Sequence, residues 1–222
     1  MVTAPKAIIF DMDGLMFDTE RLGMKAWLHI GEEMDIPITE ELVLKVIGLS
    51  WENNKRVWYS ELGDFDIEKA GTMYHNYVNL HIEKNGIPMK SGLLEILSFL
   101  EKNKIKKAIA SSSPSGVVKF YMEKAGITGR FDAIVSGEAV SRGKPEPDIF
   151  LHTAGLLGVA PGECVVLEDS INGIKAAYAA NMIPVMIPDL IPMTPDIERL
   201  LYAKTDSLND AIPLLKAIIE RK

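Results

Sequence analysis

Five short apolar runs, each halted by polar or turn-forming residues, constrain this chain more than any other feature. They are Ala7-Ile8-Ile9-Phe10 before Asp11, Lys107-Ala108-Ile109-Ala110 before three serines, Ala133-Ile134-Val135 before Ser136-Gly137, Cys164-Val165-Val166-Leu167 before Glu168-Asp169, and Ile183 to Ile187 before Pro188. Runs this short, apolar without alternation, are the pattern of strands buried on both faces of a parallel sheet. Amphipathic segments separate them. Gly92 to Lys102 carries Leu93, Leu94, Leu97 and Leu100 at helical spacing, and Ser115 to Ala125, Pro147 to Leu157 and Ile171 to Ala180 behave alike. Alternation of strand and helix predicts an α/β fold with a doubly wound (Rossmann-like) parallel sheet. In such sheets ligands bind beyond the carboxyl ends of the strands, where the acids, serines and glycines of this chain fall.

One region breaks the rhythm. From Phe17 to Asn85 there is no strand-like run but a series of amphipathic stretches, near Glu20 to Met34, Thr39 to Ile47, Trp51 to Leu62 and Asp66 to Glu83, which carry Trp27, Trp51 and Trp58. The expected organisation is therefore a core of residues 1–16 and 87–222 with an inserted α-helical cap domain at 17–86, hinged near Leu15 to Phe17 and Gly86 to Pro88. Bulk charge narrows the function. With 24 basic and 31 acidic residues and a net charge of −7, the chain has no electrostatic reason to seek nucleic acid or an anionic membrane. No charge-free apolar stretch reaches the ~18 residues of a membrane span. Met1 to Phe10 is too short for a signal-peptide core, and the lone Cys164 fits a reducing compartment, so a cytoplasmic protein is expected.

The residues at the strand ends carry the chemistry. Asp11 and Asp13 flank one residue, and Gly14 permits a sharp turn that brings both carboxyls to one side. Two carboxylates so close repel unless a cation lies between them or one is protonated, and Mg²⁺ suits a site with few carboxylates and a phosphate to share. A solvated acidic loop accounts for Asp-x-Asp-Gly equally well. Glu168 and Asp169 form a second pair just before a helix, where Asp169 or Ser170 would also serve as a plain N-cap. Ser111-Ser112-Ser113-Pro114-Ser115-Gly116 joins a strand to a helix, so Ser111, Ser112 and free N–H groups there can hold a phosphate. Lys144 lies between Gly143 and Pro145 on a loop of limited freedom, either as a fixed cation or as a surface charge. The conjunction is what matters: phosphoryl transfer needs a nucleophile, a proton donor, a divalent ion and fixed positive groups.

The four motifs, Asp11-Met12-Asp13-Gly14, Ser111 after a strand, Lys144 in Gly-Lys-Pro-Glu-Pro-Asp, and Glu168-Asp169-Ser170, make the chain resemble the haloacid-dehalogenase-like superfamily over nearly its whole length. It is most similar to the subgroup of β-phosphoglucomutase and small sugar- or nucleotide-phosphate phosphatases. Phe10-Asp11-Met12-Asp13-Gly14-Leu15 with Asp18-Thr19-Glu20-Arg21-Leu22, and Glu168-Asp169-Ser170-Ile171-Asn172-Gly173, resemble the pseudouridine-5′-phosphatase type. The resemblance implies that Asp11 attacks phosphorus and that Asp13 protonates the leaving alkoxide and later activates water. Mg²⁺ would be held by Asp11, the Asp13 carbonyl and Asp169, with Glu168 binding directly or through water, and Ser111 and Lys144 would fix the phosphate. The acid Asp13 argues for phosphate esters over halide or phosphonate substrates.

A β-phosphoglucomutase-type phosphomutase is the alternative activity, and a pocket that binds a metabolite without turnover is a third reading. The mutase has a histidine shortly after the Asp-Thr pair and a phosphate-gripping arginine on its cap; the corresponding places hold Gly23 and Trp51, so water is the expected acceptor. His29, His75, His81 and His152 lack metal-ligand spacing and read as structural, and Lys102, Lys104, Lys106 and Lys107 read as a solvated face. Trp51 and Trp58 read as packing of the helical region. The expected partner is a small phosphorylated metabolite, with no nucleic acid and no membrane; the sequence leaves the oligomeric state open and is compatible with a monomer.

Overall fold

The computed structural model describes residues 4–49 and 51–220. Met1 to Thr3, the start of the segment read as too short for a signal-peptide core, lie outside them. Six strands form one all-parallel sheet: β1 (Ala7–Phe10), β2 (Lys106–Ala110), β3 (Ala133–Val135), β4 (Cys164–Glu168), β5 (Ile183–Met186) and β6 (Ala203–Lys204), in the order β3-β2-β1-β4-β5-β6. The first five coincide with the apolar runs. Each residue of β1, β4 and β5 is buried, as required of strands covered on both faces. The sixth strand was not legible, because two residues at a partly exposed edge leave no apolar signature.

Four helices follow β1: α1 (Thr19–Met34), α2 (Glu40–Leu44), α3 (Trp51–Leu62) and α4 (Ile67–Asn85). Six more alternate with the remaining strands: α5 (Leu93–Lys102), α6 (Ser115–Ala125), α7 (Asp148–Leu157), α8 (Ile171–Ala179), α9 (Pro195–Glu198) and α10 (Leu208–Ile219). The chain divides into two units, Met1–Phe17 with Met89–Lys222, and Asp18–Pro88. In the first, alternate residues of β1, β2 and β4 (Ala7, Ile9, Ala108, Ala110, Cys164, Val166) share a core with Ile149, Phe150 and Ala154 of α7 and Ala176 and Ala177 of α8. No described helix is long and apolar enough to cross a membrane.

The second unit is helical and has its own core. Trp58 is fully buried against Trp27, ring centroids 4.7 Å apart, and Trp27 stacks on Tyr74 at 5.1 Å. Two glycines admit aromatic rings from neighbouring helices. A Cβ at Gly23 of α1 would lie 2.6 Å from the Tyr74 hydroxyl, and one at Gly71 of α4 would lie 3.0 Å from the Trp51 indole. Trp51 itself is 37% exposed, so only Trp58 of this pair is a core residue. The lysine cluster also departs from a uniformly solvated face. Lys107 is buried, and the Lys106 ammonium donates to the Leu157 carbonyl at 2.6 Å. Truncation of the core indole, Trp58→Ala, should destabilise the protein by about 3–5 kcal/mol in urea unfolding, the cost of a large buried aromatic.

Candidate active site

Sheet register assembles the site. β1 lies between β2 and β4, with Phe10 opposite Ile109 on one side and Leu167 on the other. Asp11, Ser111 and Glu168 therefore emerge side by side at three adjacent strand ends, where the chain order reverses and a crevice is expected. Two backbone bonds extend the ladder past the strands: Asp11 N–H donates to the Leu167 carbonyl and Ser111 N–H to the Val135 carbonyl, both at 3.0 Å. Beyond Asp11 the chain folds back at once. Met16 and Phe17 N–H donate to the Met12 carbonyl, Gly14 N–H donates to the Phe17 carbonyl, and Gly14 takes φ +78°, a conformation that favours glycine.

Lys144 enters from the loop before α7, and it is no surface charge. Its side chain is 5% exposed, and its ammonium donates to Asp11 Oδ1 at 2.5 Å, to Glu168 Oε1 at 2.6 Å and to the Ala110 carbonyl at 3.0 Å. The Phe150 ring lies 4.9 Å away. One ammonium thus ties together the ends of β1, β2 and β4. Burial alone would discharge it, but the adjacent Asp11 and Glu168 carboxylates outweigh that effect and hold it protonated. Asp11 is driven the other way: burial, reinforced by Glu168 and Asp13 against the pull of Lys144, pushes its carboxyl up to about 7.

Glu168 is fully buried, and both oxygens are engaged. Besides Lys144, it accepts from Ser170 N–H and Ser170 Oγ, each at 2.9 Å on Oε2. Ser170 Oγ in turn accepts from Gly173 N–H at 3.0 Å, so Ser170 rather than Asp169 is the N-cap of α8. Asp169 is left to the site. Oxygens of Asp11, Glu168 and Asp169 lie within 4.8 Å of one another. Gly173 makes room for this packing, since a Cβ there would fall 1.8 Å from Glu168 Oε1. An all-oxygen donor set, buried, with more carboxylates than one lysine neutralises and with Asp11 raised toward neutrality, fits a hard divalent cation.

Asp13 and the serine loop stand beside this cluster. Ser113 Oγ donates to Asp13 Oδ2 at 2.8 Å, and Ser113 N–H donates to the Oγ of the buried Ser111 at 3.0 Å. Ser112 is exposed, and its carbonyl is turned against Gly137. Of the residues singled out from sequence, Asp11, Lys144, Glu168 and Asp169 form one cluster, and Asp13 and Ser111 are joined through Ser113. Sequence reasoning passed over the roles of Ser113 and Gly173. The fingerprint Glu-Asp-Ser-Ile-Asn-Gly contained Gly173, but only the Glu168 side chain shows why a hydrogen is needed there.

Residues 8–187 match the haloacid dehalogenase-like hydrolase family. The chain belongs to that family. It is 31% identical over 217 residues to a phosphorylated carbohydrates phosphatase of Thermotoga maritima, covering 96% of this chain and 91% of the relative. It is 32% identical over 195 residues to the β-phosphoglucomutase of Bacillus subtilis, covering 85% of each. Among solved structures, a β-phosphoglucomutase from Clostridium difficile superposes with a TM-score of 0.77 at 26% identity, covering 97% of each chain.

Two outcomes follow from the electrostatics and packing of this family member. A proton on Asp11 competes with a bound cation below pH 7, so Mg²⁺ affinity measured calorimetrically should rise about tenfold from pH 6 to pH 8, and Asp11→Asn should remove that dependence. Gly173→Ala should weaken Mg²⁺ binding at least ~10-fold, because Glu168 must leave its place to admit the methyl group.

Proposed function

We propose that this haloacid dehalogenase-like enzyme is a Mg²⁺-dependent phosphatase of small phosphomonoesters, such as sugar phosphates or nucleoside monophosphates, working through an aspartyl-phosphate. The observation that carries the proposal is the pairing of two carboxylates with different surroundings on one tight turn. Asp11 is buried against Lys144, whereas Asp13 is partly exposed and bonded to a hydroxyl. These surroundings support Asp11 as the nucleophile and Asp13 as the proton carrier.

Asp11 attacks phosphorus, and the bond from phosphorus to the ester oxygen breaks. Asp13 gives its proton to the departing alkoxide. Asp13 then takes a proton from water, which attacks the phosphorus of the aspartyl-phosphate and releases inorganic phosphate and free Asp11. Lys144 and Ser111 hold the phosphoryl oxygens and offset their charge. Ser112 would take part through its backbone or by turning inward. Asp11, Asp169 and the Asp13 carbonyl would hold Mg²⁺, and the bound ion would supply positive charge to the transferring group. Both oxygens of Glu168 are already bonded, which favours its acting on the ion through water.

The helical unit, residues 18–88, would serve as the cap that selects the substrate. The phosphomutase alternative keeps the same core. Against it, Gly23 has no side chain with which to pass a proton, and the Tyr74 hydroxyl fills the space a side chain would need. Trp51, at the place of the mutase arginine, offers an indole against Gly71 and no cation for a second phosphate. Water is then the acceptor.

Purified protein with Mg²⁺ should release phosphate from a panel of monoesters, and Asp11→Asn should lower the rate by more than about a thousandfold. Bisphosphate-stimulated conversion of β-glucose 1-phosphate to glucose 6-phosphate would favour the mutase. Metal-dependent phosphate binding with no turnover would favour a sensing protein.

A further inference from the structure

Ser113 occupies a singular place in the core unit. Its hydroxyl donates to Asp13 Oδ2 at 2.8 Å, while its own N–H donates to Ser111 Oγ at 3.0 Å. One residue therefore bonds both to the acid on the first strand's turn and to the buried hydroxyl after the second strand, a hundred positions away in sequence. Its backbone is held in turn. The Ser113 carbonyl accepts from Gly137 N–H at 3.1 Å, and Ser115 N–H donates to Glu138 Oε2 at 3.0 Å. Gly137 presses so closely that a Cβ there would fall 2.4 Å from the Ser112 carbonyl oxygen. The turn after β3 thus clamps the serine loop on both sides of the Asp13 contact.

We propose that Ser113 is a positioning residue: it fixes the rotation of the Asp13 carboxyl and sets its distance from Ser111, and so aligns the proton carrier with the bound phosphoryl group. The proposal rests on the phosphatase reading above. Asp13 is the partly exposed residue of an otherwise buried turn, and proton transfer to a leaving oxygen demands a fixed hydrogen-bond geometry at the moment the ester bond breaks. The Ser113 hydroxyl contributes to that geometry through its bond to Asp13 Oδ2. On the phosphatase reading nucleophilic attack falls to Asp11, the ion to Asp11, Asp169 and the Asp13 carbonyl, and the phosphoryl oxygens to Lys144 and Ser111. The effect of Ser113 is confined to the step in which the alkoxide needs a proton.

That confinement gives the test. An alkyl phosphate needs Asp13 to protonate its leaving group, whereas p-nitrophenolate departs without a proton. Values of kcat/KM, which report the chemistry up to formation of the phosphoenzyme, would be measured with Mg²⁺ for an alkyl monoester and for p-nitrophenyl phosphate. Ser113→Ala should lose about tenfold to a hundredfold on the alkyl ester and less than about threefold on the aryl ester. Ser113→Thr, which keeps the hydroxyl, should track the unmodified enzyme on both. Equal losses on the two esters, no loss on the alkyl ester, or a Ser113→Thr as impaired as Ser113→Ala would overturn the assignment. If Ser113→Ala keeps its aryl-ester activity, the fold, the metal site and the nucleophile are intact, so failure of this inference is separable from failure of the phosphatase reading. An unmodified enzyme that hydrolyses neither ester would sink that reading and this assignment with it.

Discussion

The ammonium of Lys144, buried between the carboxylates of Asp11 and Glu168, is the contact on which the site depends. Isolated charges at such depth would cost several kcal/mol each, and only mutual pairing makes them tolerable. The pairing works because the parallel register puts the ends of β1, β2 and β4 side by side and because the loop before α7 delivers one cation there. It does not balance the charge. Asp13 and Asp169 add two further carboxylates, and burial, with Glu168 and Asp13 adding to it against Lys144, raises the Asp11 carboxyl well above an ordinary aspartate. The excess negative charge suits the cluster to a divalent cation.

What the sequence revealed and what it hid divide along physical lines. Strands buried on both faces announce themselves as uninterrupted apolar runs, and so do the polar residues that end them; Asp11, Ser111 and Glu168 were visible as strand-end residues for that reason. Helix α6 (Ser115–Ala125) and α3 (Trp51–Leu62) matched the amphipathic spacing to the residue. Edge strand β6, two residues long, had no pattern to show. Which residue would cap α8 was undecidable in advance, since Asp169 and Ser170 are both good caps; the structure gives the cap to Ser170, whose hydroxyl also bonds to the buried Glu168. Lys107 illustrates the same limit. Its charge suggested solvent, but its place on β2 buries it.

Contacts made by small residues were the least legible. Gly23, Gly71, Gly137 and Gly173 each lie against a group that a methyl would strike, and a lone glycine in a helical pattern gives no hint of what approaches it. At Gly173 the neighbour is the buried carboxylate, so the glycine serves the acidic cluster. At Gly23 and Gly71 the neighbours are the rings of Tyr74 and Trp51, so the glycines shape the helical unit. On the proposed reading, Gly23 and the Trp51 that Gly71 admits stand where a phosphomutase would need a proton-passing side chain and a second phosphate grip. Relatives of both activities stand at nearly equal identity, so overall likeness does not separate hydrolysis from isomerisation of the ester.

The central claim is that residues spread from 11 to 169 form one metal-assisted phosphoryl site with Asp11 as its nucleophile. A crystal structure of the protein grown with Mg²⁺ and beryllium fluoride, a mimic of the phosphoryl group, tests it most directly. The account predicts a trifluoride bonded to the Asp11 carboxylate, contacted by Lys144 and Ser111, with the ion held by Asp11, Asp169 and the Asp13 carbonyl. Fluoride and metal bound elsewhere, or an Asp11 carboxylate still closed on Lys144 with no mimic attached, would contradict it.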